Sequence, residues 1–120
     1  MKTESISIVN NKVIIFSEFN EIWMTANQIA NLFECFISKV NANIRIILKS
    51  RVLDNTKVCQ TYYYKNGNSV ELYNLEMIIA LSFKIKSYNS EIFREWIYDA
   101  IINERIRSPI FMLGNCFSLN

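Results

Sequence analysis

The stretch WMTANQIANLFECFISKVNANIRIIL, residues 23–48, divides into two short helices joined by a tight turn. Thr25 is placed to cap the first, and Gln28 three residues on completes the S/T-x-x-E/Q capping box. Met24 before the cap and Ile29 at the fourth helical position have the spacing of a hydrophobic staple. Ile29, Leu32, Phe33 and Phe36 recur at i, i+3, i+4 and i+7, one face of a helix. After Glu34-Cys35-Phe36 the pattern restarts as Val40, Ile44, Ile47 and Leu48. The opposite face of this second helix carries Ser38, Ala42, Arg45 and Lys49, with Lys39 at its border. A small residue, Ala30, in the first helix and Val40 ten positions later in the second fit a helix-turn-helix. Helical hairpins that bind nothing can carry the same pattern.

Outward from this stretch, strands and helices alternate in signal. Residues 5–16, SISIVNNKVIIF, are two β-branched runs around Asn10-Asn11, a hairpin signature because asparagine tolerates the left-handed conformation of tight turns. Residues 22–24 predict a short third strand. Residues 51–57 read as a polar connection anchored by Leu53. A second hairpin follows, with Asn66-Gly67 between residues 60–64 and 69–73, a tip at 65–68, and tyrosines 62, 63 and 64 on its first strand. A hairpin directly after a helix-turn-helix is the order of a winged helix. Asn74 is set to cap a third helix with Leu75, Ile78, Ile79, Leu81 and Ile85 apolar on several sides. Ser90 is set to cap a fourth, with Ile92, Phe93, Trp96, Ile97, Ala100 and Ile101 on one stripe. The expected class is α+β, with residues 1–107 a single helix-turn-helix or winged-helix-like domain and 108–120 a short apolar tail after helix-ending Pro109.

Composition narrows the function classes. The chain has 120 residues, 51% hydrophobic and 20% charged, which describes one folded domain. Its net charge of +2 says little about partners, but the distribution says more. Residues 35–53 contain no carboxylate yet hold Lys39, Arg45, Lys49 and Arg51, so the second helix is locally basic. There is no histidine for acid–base work at neutral pH, and the two glycines build no phosphate-cradling loop. Cys35, Cys59 and Cys116 form no C-x-x-C pair and read as reduced thiols. No enzyme, metal, cofactor or small-molecule substrate is therefore expected. The first residues lack the apolar run of a signal peptide and no segment spans a bilayer, which predicts a soluble cytoplasmic protein without a membrane partner.

Three separated blocks carry a resemblance. IWMTANQIANLF looks like the "VWLT-x-x-QIA-x-LF" opening of the RhuM-type virulence proteins, a bacterial and phage-associated family. ELYNLEMIIALSFKIKS is similar to that family's "YNLDMI…GYRVKS", matching at Tyr73, Asn74, Leu75, Met77, Ile78 and Ser87. FREW, Phe93 to Trp96, resembles its "FR-x-W". Phe83 and Lys84 depart from it, standing where the family usually has glycine and tyrosine. The resemblance spans roughly residues 20–105 and implies a DNA-binding-like N-terminal domain akin to those of phage antirepressors, hence a regulator of phage or mobile-element origin.

Two functions follow. In the first, Ser38, Lys39, Ala42, Arg45, Lys49 and Arg51 face a DNA groove or its phosphates, Lys65 at the hairpin tip reaches the backbone, and a homodimer pairs two half-sites through the tail and the Trp96 helix. In the second, the fold is a protein-interaction domain, with Ile46 outward between Ala42 and Lys49. Arg94 is expected to pair with an acidic neighbour such as Glu91 or to hold a carbonyl, with a phosphate contact as the alternative, and Phe93 and Trp96 to be core.

Overall fold

The computed structural model describes residues 5–107 as a mixed α+β fold. Its first hairpin, β1 (Ile6–Val9) and β2 (Lys12–Ile15), turns through Asn10 and Asn11 at φ 52° and 63°. Two successive positive φ values are what a two-residue turn matched to strand twist demands, and asparagine adopts them at low cost. Ile6 is buried, so the hairpin lies on the core rather than standing free. A single 3-10 turn (Phe19–Glu21) leads to β3 (Trp23–Met24).

The helix α1 (Ala26–Phe33) starts as its sequence predicts. Thr25 Oγ1 accepts from the Gln28 N–H at 3.1 Å while Gln28 Oε1 accepts from the Thr25 N–H at 2.9 Å, and Met24 and Ile29 are both buried. Its end depends on the rest of the domain. Glu34 takes the left-handed conformation at φ 53°, and the Cys35 N–H reaches back to the Ala30 carbonyl at 3.0 Å. Glu34 N–H serves Asn31. The remaining carbonyls, of Leu32 and Phe33, accept from Asn89 Nδ2 at 3.0 Å and Ser87 Oγ at 2.7 Å. All four terminal carbonyls of α1 thus have donors.

This turn corrects one expectation. Phe36 does not continue the apolar face of α1; it is extended, 83% exposed, and precedes α2 (Ile37–Ser50). The left-handed Glu34 resets the chain direction, so periodicity carried across it has no meaning. Within α2, Val40, Ile44 and Ile47 are buried and Leu48 half-buried, as their spacing requires.

Between α2 and the second hairpin stands a helix the sequence reading missed, α3 (Asn55–Val58), capped by Asp54 through the Thr56 N–H at 2.9 Å. The hairpin itself, β4 (Cys59–Tyr63) and β5 (Ser69–Asn74), forms at the expected place, with Gly67 at φ 95° and its N–H bonded to the Tyr64 carbonyl at 3.1 Å. β3 pairs the free edge of β5, giving an antiparallel sheet in the order β3-β5-β4. The register sets Met24 and Cys59 on either side of Tyr73, an inward row under the two helices. None of the three tyrosines of the 62–64 run is covered; Tyr62 and Tyr64 meet edge-on at 5.1 Å.

Asn74 does double work, capping α4 (Leu75–Lys84) at Met77 N–H and donating to the Lys57 carbonyl of α3. The last helix, α5 (Tyr88–Arg107), begins two residues before the expected cap Ser90. Ser87 and Ser90 exchange backbone and side-chain bonds at 3.0 and 3.1 Å, so Ser87 caps and Ser90 sits in the first turn, buried. Phe93 is fully buried and meets Phe33 edge-on at 5.6 Å. Trp96 is half-buried between Phe93 and Phe19, whereas Ala100 and Ile101 are exposed, so the apolar stripe is covered only in its first half. No described helix is long and apolar enough to cross a membrane. The tail at 108–120, with Pro109 and Cys116, lies outside the described residues.

Two substitutions test the α1 terminus. Asn89→Ala strips the Leu32 carbonyl of its donor and is expected to cost about 1–3 kcal/mol in urea unfolding. Glu34→Gly, which removes the left-handed penalty, is expected to stabilise by up to about 1 kcal/mol in the same assay.

Candidate nucleic-acid interface

The outward side of α2 is assembled by the period of the helix. Burying Val40, Ile44 and Ile47 turns Ser38, Lys39, Arg45, Ile46 and Lys49 to solvent, with Ala42 half-buried among them. Arg51 follows in the left-handed conformation at φ 60°, its N–H on the Leu48 carbonyl and its side chain exposed. An open depression of about 680 Å³ is lined by Ala42, Arg45, Ile46, Leu48, Lys49 and Arg51, with Asn55 of α3 at its edge. Three cations and no carboxylate line it.

Four of the seven expected residues therefore meet: Ala42, Arg45, Lys49 and Arg51. Ser38 and Lys39 stand apart on the first turn of α2, and Lys65 is exposed in the hairpin loop. The α2 flank nearer the hairpin has a different character. There Ile37 and Asn41 share a depression with Thr25, Asn27, Tyr64 and Glu71. Glu71 accepts from Thr61 Oγ1 at 2.8 Å, which puts a carboxylate on that side. Asn55 carried no sequence signal, since only the folded chain brings it beside α2.

Whether a cation is available depends on what its donors already hold. Among the described residues, Arg45, Lys49 and Arg51 make no side-chain hydrogen bond or ion pair. Arg94 is the contrast. Its Nη1 is on the Ser82 carbonyl, with the Ile85 carbonyl at 3.3 Å and Ser90 Oγ at 3.2 Å, so it closes the end of α4. The carbonyl role expected for it holds, and no pairing with Glu91 forms.

The two described thiols are poorly suited to nucleophilic work. Burial pushes the Cys35 thiol up, and nearby Lys39 only partly opposes this. Cys59 is raised by burial and then by Glu71. Tyr73 rises for the same reason, with Cys59 and Glu71 adding to burial.

No protein-family model matches the chain, and neither curated proteins nor solved structures give a match.

Raised thiol values mean less thiolate at neutral pH. In a Cys116→Ser background, Cys35 and Cys59 are expected to alkylate at pH 7 more slowly than free cysteine. Their rates should keep climbing as the pH passes the ordinary thiol value, which a mass-resolved iodoacetamide time course at several pH values reads directly.

Proposed function

We propose that this chain is a DNA-binding module of the winged-helix kind, in which α1 and α2 are the helix-turn-helix and the β4–β5 hairpin is the wing. The observation that carries it is the acid-free depression on the outward side of α2, where Arg45, Lys49 and Arg51 hold unspent donors. Unspent cations beside one another are what a phosphate backbone neutralises. Arg45, one turn from both Ala42 and Lys49, is placed to grip a guanine edge or a phosphate. Lys49 and Arg51 at the helix end take phosphates, Ser38 and Lys39 approach from the first turn, and Lys65 touches the backbone from the hairpin. The order β3-β5-β4, with a strand ahead of the two helices pairing the hairpin, supports the wing assignment. The likeness of three sequence blocks to RhuM-type proteins points the same way. A homodimer on two half-sites completes this reading, with the uncovered part of α5 around Tyr98 and Ile101 beside Phe83 as its contact.

A second reading, a protein-interaction domain, draws on one observation: Ile46 is 51% exposed at the centre of the same surface.

Duplex binding across a salt series separates them. Arg45→Ala is expected to cost on the order of 1–3 kcal/mol and to flatten preference at one base pair. Lys49→Ala and Arg51→Ala should weaken all sequences alike and reduce the salt slope by about one unit each. Reversing all three to glutamate should abolish binding with the thermal midpoint unchanged, because none of them is in the core. A folded triple variant that binds DNA like the parent would put the interaction domain ahead.

A further inference from the structure

Ile46 is the feature that phosphate binding leaves unexplained. It lies one helical turn from Ala42 on the same side of α2, and the two form a contiguous apolar patch within the depression. Arg45 and Lys49 flank that patch, and Arg51 closes its far end. Ile46 is 51% exposed and lies outside the buried core, so half of its apolar surface faces solvent with no partner in the fold. A polyanion drawn to this rim sets its own surface against the patch. Among the base edges that a duplex displays in its major groove, the apolar group is the C5-methyl of thymine.

We infer that Ala42 and Ile46 form a slot for a thymine methyl, so that this surface reads sequence by shape and apolarity beside Arg45. The inference rests on the DNA-binding reading and names what that site recognises. A methyl seated between the two side chains leaves water at the moment of docking, when the flanking cations lose theirs to phosphate. The slot thereby favours a thymine where a cytosine or uracil presents bare ring edge. Arg45, one turn from Ala42 in the same depression, would place its guanidinium toward the neighbouring base pair.

The experiment begins with selection of preferred duplexes from a random library by the full chain. Each thymine of the preferred site is then replaced singly by deoxyuridine, which removes the methyl and keeps every hydrogen bond. One or two of these replacements are expected to weaken binding about fourfold, the factor set by burying one methyl. Ile46→Ala and Ile46→Gln should bind the parent duplex with that loss already present, and the same deoxyuridine duplexes should then cost them nothing further. Circular dichroism melting of both variants at the parental midpoint shows the fold intact. Preferred sites without thymine opposite the slot, or deoxyuridine replacements without effect on the parent chain, overturn the inference while leaving DNA binding in place. Failure to bind any duplex, even at low salt, overturns both.

Discussion

The carbonyl end of α1 is the point on which the rest of the structure hangs. A helix that stops inside a domain leaves four acceptors in need of donors, and the turn after α1 supplies only two of those acceptors locally. The other two are met by Ser87 and Asn89, 54 and 57 residues further along the chain. The angle at which α2 leaves the turn is therefore fixed by α5. That helix is held in its turn by Ser90 and Arg94 against the end of α4, and α4 begins at Asn74, which also grips α3. The outward surface of α2 is a property of the whole domain. The two helices cut out alone would lose the donors that set their crossing.

What the sequence made legible follows the same division. Signals whose energy is local could be read directly: the Thr25 box, the Asn10-Asn11 turn, Gly67 at the hairpin tip and the Asn74 cap. The buried face of α2 was also legible, because helical period alone sorts Val40, Ile44 and Ile47 from Arg45 and Lys49. The failures have tertiary causes. Ser87 and Ser90 have equal local claims to cap α5, and the contact of Ser87 with the Phe33 carbonyl chooses between them. Phe36 kept the apolar spacing, but the left-handed residue two positions earlier cancels it. The four-residue α3 is too short to show a period, so only its Asp54 cap could have announced it. The stripe of α5 runs on past the body it packs against, which no pattern within the helix can reveal.

Arginine shows how far residue type falls short of role. Arg94 and Arg45 are both on amphipathic helices, and both could be drawn against phosphate on a sequence diagram. Arg94 spends one nitrogen on two backbone carbonyls and a serine hydroxyl, which neutralises the negative end of α4 and leaves the group half-buried. Arg45 keeps its whole donor fork in solvent beside two further cations. Removing the first would expose a helix terminus, whereas removing the second touches nothing that folding requires. That separation of stability from surface chemistry is what allows the basic face of α2 to be varied without disturbing the core.

Charge and length together constrain how a duplex can lie on that face. The hairpin flank of α2 presents Glu71, which repels phosphate, while the opposite flank presents Arg45, Lys49 and Arg51. On the proposed DNA-binding reading, a duplex would tilt toward the C-terminal half of α2, although helix-turn-helix proteins usually lead with the first turns of the second helix. The negative end of the helix dipole would oppose such a tilt, and the positive charges of Lys49 and Arg51 at that end offset it. The ridge from Ser38 to Lys49 is roughly 16 Å long at the rise of an α-helix, about half a turn of duplex. Contacts along so short a ridge supply only part of the surface that specific DNA complexes bury. Under that proposal the remainder would come from elsewhere, which is the physical reason to look to Lys65 across the hairpin and to a second copy at the next half-site.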